Sequence, residues 1–107
     1  MSRLVQPPIL PGAVLDRETL ARICKALGHP VRIQILQHLQ ASGKSNCSDI
    51  VSRFPLAQST VSQHLKFLRE AGVIHCEAAG PARCYDLNKD LLARFGRSLG
   101  RMWCGDE

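Results

Sequence analysis

The sequence has no long apolar run and few aromatic residues. No stretch approaches the ~20 consecutive apolar residues that a membrane-spanning helix needs, so no transmembrane segment is predicted. Residues 1–15 contain three prolines and one arginine but no continuous apolar stretch with a cleavage site, so no secretory signal is predicted. The chain is therefore expected in the cytoplasm, with no membrane as partner. Because aromatic residues make up only 5% of the chain, the core is expected to consist mainly of Leu, Ile, Val and Ala.

Patterns typical of disulfide scaffolds, zinc sites and enzymes are missing as well. The five cysteines are an odd number without any Cys-x-x-Cys spacing, which favours reduced thiols in a chain without an export signal. The four histidines have no His-x-x-x-His or mixed Cys/His spacing within one predicted helix, so no tetrahedral zinc site is encoded locally. There is no Ser-His-Asp pattern, no glycine-rich phosphate loop and no helix with paired carboxylates. The chain is therefore predicted not to be an enzyme.

A basic charge balance is present instead, on a chain long enough for one small domain. Among its 107 residues, 14 Lys and Arg stand against 9 Asp and Glu, which gives a net charge of +5. A basic domain favours nucleic acid or another anionic surface as its partner. A core of this size is marginal by itself, which favours a dimer.

Hydrophobic periodicity predicts a mainly α domain over residues 16–104, preceded by an extended, proline-rich arm at 1–15. Asp16 is the expected N-cap of the first helix, and Pro30 is the expected first residue of the second. The pattern then predicts helices at 46–54 and 58–71, strands at 73–77 and 82–87 that form a two-stranded hairpin, and a last helix capped by Asn88. The predicted fold class is a winged helix-turn-helix with about five helices.

The third and fourth predicted helices are short, adjacent and separated by residues 54–57, as in a helix-turn-helix. The second helix of that motif enters the DNA major groove with its N-terminal end. Its apolar residues leave a polar face whose Gln, Ser and Lys side chains are suited to base edges and phosphates. Together with a wing arginine, the predicted DNA-binding residues are Gln58, Ser59, Thr60, Ser62, Gln63, His64, Lys66 and Arg83. For His64, a phosphate contact, a helix-packing role and a merely exposed position all remain open.

Two segments, 26–32 (ALGHPVR) and 58–72 (QSTVSQHLKFLREAG), resemble the ArsR/SmtB family of bacterial winged-helix repressors. The resemblance covers roughly residues 16–104. It implies a homodimer with the first and last helices at the interface and with two recognition helices facing successive major grooves of a pseudo-palindromic operator in double-stranded DNA. It also implies that ligand binding or thiol oxidation releases the repressor from the operator.

The chain departs from the metal sites of that family. The Cys-x-Cys-Asp box that many members carry is Asn46-Cys47-Ser48-Asp49 here, so both ligand positions are lost. The last helix contains no histidine for the zinc site that other members place there. No intact family zinc site is predicted, which leaves As(III) or another thiophilic metal ion as the candidate ligand. Ala57 also stands where the family usually has a serine N-cap.

Because five thiols remain, we predict that a thiol-reactive inducer such as As(III) or an oxidant releases the repressor. Cys24, on the apolar stripe of the first helix, and Cys104 are the first candidate sensor thiols, since their helices should adjoin at the dimer interface. Cys47 is a third-ranked candidate because it lies near a helix N-terminus. The alternatives are a repressor without cysteine-based sensing and a winged-helix module that binds protein.

Cys76 and Cys84, on the two strands of the hairpin, are the second-ranked sensor candidates. A turn at Ala79-Gly80 is expected to pair Cys76 with Arg83 and to separate the two thiols, whereas direct pairing of the cysteines would place them on one face.

Overall fold

The predicted helices and strands occur in the predicted order, together with one strand that was not predicted. The structure is a computed structural model that describes residues 14–80 and 82–104. Within these residues the elements are α1 (Arg17–Leu27), α2 (Pro30–Ser42), β1 (Ser45–Asn46), α3 (Cys47–Val51), α4 (Gln58–Glu70), β2 (Ile74–Ala79), β3 (Ala82–Leu87) and α5 (Lys89–Cys104). The mainly α fold class with a β-wing is confirmed. Most of the predicted N-terminal arm, residues 1–13, lies outside the described residues.

Four of the helices begin at a side chain that accepts a backbone hydrogen bond and so satisfies an N–H group without a partner inside the helix. The acceptors are Asp16 for α1, His29 for α2, Asn46 for α3 and Asn88 for α5. The Asp16 carboxylate accepts from the Thr19 N–H at 3.0 Å, and hydrogen bonds from Thr19 lower the pKa of this carboxyl. The predicted caps Asp16 and Asn88 are confirmed, as is the start of α2 at Pro30.

A third strand joins the predicted hairpin. β1 pairs antiparallel with β3, with Ser45 opposite Tyr85 and Asn46 opposite Cys84, so the sheet order is β1-β3-β2. Two residues directly before a helix cannot show the alternation of a strand, so β1 leaves no signal in the sequence. The sheet therefore connects the start of α3 to the wing.

The third helix is shorter than the predicted range 46–54. α3 ends at Val51, and turns and bends over residues 52–56 lead towards α4. The Ser52 hydroxyl donates to the Asp49 carbonyl at 2.7 Å in the first of these turns. Pro55 disfavours helical backbone at Phe54, so a helix that reached this point could not run on into α4.

The hairpin register differs from the predicted one. Cys76 lies opposite Tyr85 and not opposite Arg83, so the predicted pairing is wrong. The strands close with Ala79 opposite Ala82, which moves the turn one residue beyond the predicted Ala79-Gly80.

Burial of apolar side chains explains the observed register. The predicted turn would place Leu87 opposite Gly72, beyond the end of β2. In the structure Leu87 pairs with Ile74, and both side chains are buried. Cys76 and Cys84 lie on opposite faces of the sheet, because residues on opposing strands share a face only when they pair directly or differ by an even number from a direct pair.

The core lies between α1, α2, α4 and the sheet. The predicted inward residues Val61, Leu65 and Leu68 of α4 are fully buried. Around them pack buried residues of the other elements: Ile23 and Ala26 of α1, Ile35 and Leu39 of α2, Ile50 of α3 and Ile74 of β2. No helix in the described part of the chain is both long and apolar enough to cross a membrane.

Cys24 does not belong to this core, although the predicted apolar stripe of the first helix included it. The residues of α1 that are buried are Ile23 and Ala26, whereas Cys24 is exposed. Successive residues of a helix are about 100° apart, which turns Cys24 away from the side that Ile23 presents to the core.

Candidate DNA-binding surface

The N-terminal half of α4 presents a polar face to solvent. Three buried apolar residues anchor the opposite side of the helix, as described above. The exposed residues of the face are Gln58, Ser59, Ser62, Gln63 and Lys66, and Thr60 next to them is half-buried. These side chains carry amide, hydroxyl and ammonium groups, which are the groups that bind base edges and phosphates in DNA.

An open groove of about 440 Å³ runs between α3, α4 and the wing. It brings Arg83 of β3 to the same surface as α4, although the two are separated in the chain by the whole of β2. The lining residues are Asn46, Cys47, Ser48, Gln58, Ser62, Lys66, Arg69, Arg83 and Tyr85. Of the predicted DNA-binding residues, the structure thus gathers Gln58, Ser62, Lys66 and Arg83 in one place.

Three cations and no carboxylate line this groove. They are Lys66 and Arg69 of α4 and Arg83 of the wing. The salt bridges found among the described residues, Lys44–Glu77 and Arg94–Asp90, involve other side chains. The positive charge of the groove is therefore not neutralised by a neighbouring acid, which suits a polyanion such as DNA.

Arg69 is a groove residue that the sequence prediction does not contain. It follows Ser62 by seven positions and Lys66 by three, and residues with this spacing lie on one face of a helix. The helical period would therefore have identified Arg69 if the polar face had been continued past Lys66. Asn46, Ser48 and Tyr85 come from other elements, and no local pattern places them beside α4.

His64 is turned from the groove residues towards α2. Its Nδ1 atom accepts a hydrogen bond from Arg32 Nε at 3.2 Å, and its ring centre lies 4.5 Å from that of His29. Burial lowers the pKa of His64, and the neighbouring His29 and Arg32 lower it further. Of the three readings of His64 that the sequence leaves open, the described contacts are those of helix packing.

Cys47 is the candidate sensor thiol that lies in the groove. It is half-buried, and its Sγ atom is 3.8 Å from the Oγ atom of Ser62 on the polar face of α4. Burial raises the pKa of the neighbouring Tyr85 hydroxyl, and the thiols of Cys76 and Cys47 raise it further. Cys47 and Cys76 therefore both lie close to Tyr85, a grouping that the sequence does not predict.

The two wing thiols are not arranged as a pair. Cys76 lies on the Tyr85 face of the sheet, and Cys84 lies on the opposite face with its register partner Glu77. Glu77 accepts a hydrogen bond from Lys44, which raises the pKa of the Lys44 ammonium. A disulfide needs Cβ atoms about 4 Å apart, so Cys76 and Cys84 cannot bond in this register.

The first-ranked sensor thiols are on α1 and α5. Cys24 is exposed, and the four described thiols (Cys24, Cys47, Cys76 and Cys84) are free. The side chain of Cys104, at the end of α5, lies outside the described residues. No group of three or more His, Cys, Asp or Glu side chains with the arrangement of a metal site occurs in the part of the chain that the structure describes.

A helix-turn-helix whose second helix exposes a polar N-terminal half beside a β-wing defines a winged-helix DNA-binding regulator. Residues 29–75 match the family model described as "Bacterial regulatory protein, arsR family". The chain belongs to this family, whose members are DNA-binding transcription regulators and not enzymes. The predicted family and the predicted absence of enzyme function are confirmed by this membership.

Individual relatives agree with this assignment. The Biofilm growth-associated repressor of Agrobacterium fabrum is 30% identical over 98 residues, which cover 92% of this chain and 83% of that protein. The Arsenical resistance operon repressor of Bacillus subtilis is 38% identical over 66 residues, which cover 62% of this chain and 63% of that protein. A solved ArsR-like transcriptional regulator from Rhodococcus sp. RHA1 has the same fold, with a TM-score of 0.73 at 24% identity over 81% of each chain.

Proposed function

We propose that this chain is a sequence-specific repressor that binds a pseudo-palindromic operator as a homodimer in the cytoplasm, and that a thiol-reactive inducer releases it. The observation that carries the proposal is the groove between α4 and the wing. There, base-reading and phosphate-binding side chains stand together without a carboxylate. Family membership supports the general function, and the groove is the surface that we propose performs it.

The side chains divide by chemistry into two groups. Gln58, Ser59 and Ser62 are short or neutral groups at the exposed start of α4, where a helix approaches base edges in the major groove. Thr60 and Gln63 flank them. A second group consists of cations that bind the phosphate backbone: Lys66 and Arg69 on α4 and Arg83 on the wing.

Helices α1 and α5 are proposed to form the dimer interface. Two large apolar side chains near the end of α5 remain uncovered in the single subunit, Met102 at 59% exposure and Trp103 at 74%. The segment before α1 is tied to α5, because the Leu15 N–H donates to the Ser98 hydroxyl at 2.7 Å. A second copy packed on this face would cover the apolar side chains and place one α4 on either side of the interface.

Cysteine chemistry is proposed to release the repressor. Cys24 is exposed on α1, and Cys104 is at the end of α5, so both are on the helices of the proposed interface. As(III) prefers thiolate ligands, and an oxidant reacts with accessible thiols. The name of the Bacillus subtilis relative, an Arsenical resistance operon repressor, supports As(III) as the first compound to test. Cys47 remains a third candidate, because a ligand on it would lie within the groove itself.

Cysteine variants test the inducer. The probe is the DNA duplex that the wild-type protein selects from a randomised library, and the readout is its release by As(III) or by hydrogen peroxide. We expect Cys24→Ser with Cys104→Ser to abolish release while leaving DNA affinity unchanged. Coupling between two sites typically changes affinity by about 5–150-fold, which sets the size of the release expected for the wild type.

The matched control is Cys76→Ser with Cys84→Ser, which removes the same number of thiols from the wing. This control should respond to the inducer as the wild type does. If a protein with all five cysteines changed to serine still binds DNA and is still released by the same compound, cysteine-based sensing is wrong. If no duplex is selected at all, the proposed DNA binding is wrong.

A further inference from the structure

Arg32 of α2 connects its own helix to α1 and to α4, the helix of the proposed DNA-binding face. Its Nη1 atom donates to the carbonyl oxygens of Lys25 and Ala26 at the end of α1, each at 3.2 Å. Its Nε atom donates to Nδ1 of His64 on α4 at 3.2 Å, and its guanidinium carbon lies 4.0 Å from the ring centre of Phe67 on the same helix. A single side chain thus holds the end of α1 and one side of α4.

The contact with His64 requires a neutral imidazole ring. Because the Nε atom of arginine can only donate, Nδ1 of His64 must carry a lone pair to accept the bond. Protonation of Nδ1 would turn it into a second donor that faces the Arg32 guanidinium. It would also add a positive charge beside the His29 ring, whose centre is 4.5 Å away.

The charged groups around this contact do not offset such a charge. Those that act on the His64 ring are His29, the N-cap of α2, and Arg32 of α2, and both oppose its protonation. A shallow hollow beside Phe67 is also lined by Arg22, Lys25 and Glu70. Of these, Glu70 is the carboxylate, and it is not among the groups that shift the pKa of His64.

We propose that Arg32 is a positioning residue for DNA binding: it holds α4 in the orientation that the major groove requires, and protonation of His64 breaks this hold. The inference rests on the proposed DNA binding by α4. The exposed groups of α4 must meet base edges within a few tenths of an ångström, so a loosened helix loses these contacts together. The effect acts through the position of α4 and not through a contact of His64 or Arg32 with DNA.

The direction in which the pKa of His64 is shifted sets the sign of its effect on stability as the pH changes. Burial and the two neighbours lower the pKa of His64 below its ordinary value of 6.5. The unfolded chain therefore binds more protons at this residue than the folded one does. Its contribution to stability is fully present above about pH 6.5 and is lost as the pH falls through the lower, folded pKa.

Binding to the duplex selected by the wild type at neutral pH tests the proposal. Dissociation constants are measured at constant ionic strength from about pH 7.5 to about pH 5.5, which spans the ordinary titration range of histidine. For the wild type we expect affinity to fall on acidification, by at most about tenfold per subunit at about pH 5.5, because the pKa of His64 lies below 6.5. His64→Asn should bind as the wild type does at the higher pH and lose little on acidification, because the Asn oxygen occupies the place of Nδ1 and does not titrate.

Two further variants test the donor geometry of Arg32 and the contribution of the neighbouring His29 ring. Arg32→Lys keeps the charge but lacks the planar fork of donors, so we expect weak binding at all pH values with an unchanged salt slope, since no phosphate contact is lost. His29→Asn removes the adjacent ring but keeps a side-chain cap for α2, so it should retain the loss of affinity on acidification. Thermal unfolding of each variant checks that the protein is folded at each pH.

The outcomes distinguish the proposal from its rivals. If affinity rises on acidification and His64→Asn removes the rise, His64 contacts a phosphate directly and the positioning role is wrong. If His64→Asn loses affinity as steeply as the wild type, another group is responsible and the proposal fails. If no duplex binds at any pH, DNA binding by α4 is wrong and the positioning role falls with it.

Discussion

At the scale of single residues, Gln58 and Lys66 occupy the same face of α4 but carry different chemistry. Gln58 offers an amide that donates and accepts at once, which lets it distinguish one base edge from another. Lys66 offers a charge that any phosphate satisfies. Substitutions of Gln58 and of Lys66 should therefore have different kinds of effect on DNA binding, and not only effects of different size.

We expect Gln58→Ala to relax sequence preference at one position of the operator, at a cost of roughly 1–3 kcal/mol for a good base contact. Lys66→Ala and Arg69→Ala should instead weaken binding to all duplexes alike, and each should reduce the slope of log affinity against log salt by about one. Affinities for the selected duplex and for single-base variants of it, across a salt series, measure both effects.

Gln40→Ala, at an exposed position on α2, serves as the control and should change neither quantity. The roles assigned to the face of α4 are wrong if Lys66→Ala changes sequence preference while Gln58→Ala does not. They are also wrong if the salt slope is insensitive to both Lys66 and Arg69.

At the scale of elements, α4 differs from the other helices because it begins without a side-chain cap. Its N-cap is Ala57, which has the extended backbone of a capping residue (φ −64°, ψ 150°) but makes no side-chain hydrogen bond. The sequence suggested this from the missing serine, and the backbone geometry shows that a serine would fit. The helix proposed to contact DNA is thus the one that begins without a side-chain cap.

We expect Ala57→Ser to raise the free energy of unfolding by about 1 kcal/mol, because its hydroxyl can accept from an N–H group of the first turn. For a domain of this size the melting temperature should rise by roughly 4–8 °C. The matched control is Ala93→Ser at an exposed position inside α5, where serine is a slightly weaker helix former than alanine. A melting temperature that is unchanged or lowered in Ala57→Ser would show that the start of α4 does not limit stability.

At the scale of the whole molecule, one face of α5 connects the single subunit to the proposed dimer. Leu92, Gly96, Leu99 and Trp103 follow one another at helical spacing and so share a face. A methyl group added to Gly96 would meet no heavy atom within 4 Å in the single subunit. The open space beside this glycine is therefore available to a second copy of the chain.

Gly96→Ala distinguishes a dimer contact from an unused surface. In a packed interface the added methyl group should weaken the dimer, with an overpacking cost of roughly 1–3 kcal/mol in the free energy of association. On a free surface it should only stabilise the helix, by roughly 0.5–1 kcal/mol. Sedimentation over a concentration series measures association, with Gln40→Ala as the control. An unchanged dimer in Gly96→Ala would place the interface elsewhere.

Most of the fold was predictable because its signals are local. Asp16, Pro30 and Asn88 mark helix starts through hydrogen bonds or geometry within one turn, and these predictions are confirmed. The polar face of α4 follows from the helical period alone, and five of its predicted residues, Gln58, Ser59, Ser62, Gln63 and Lys66, are exposed. The family also follows from contiguous segments, since residues 29–75 carry the match.

Packing between distant segments accounts for what local patterns could not reveal. The strand β1, the hairpin register and the position of Arg83 and Tyr85 beside α4 depend on which apolar side chains the core buries. The order of residues along the chain does not show which side chains these are. The contact of Arg32 with His64 joins residues 32 positions apart and turns a predicted DNA-binding histidine towards a neighbouring helix. The helical period, the helix caps and the family could be predicted from the sequence, because each depends on only a few consecutive residues. The placement of thiols, cations and His64 needed the folded molecule because burial is a property of the whole core.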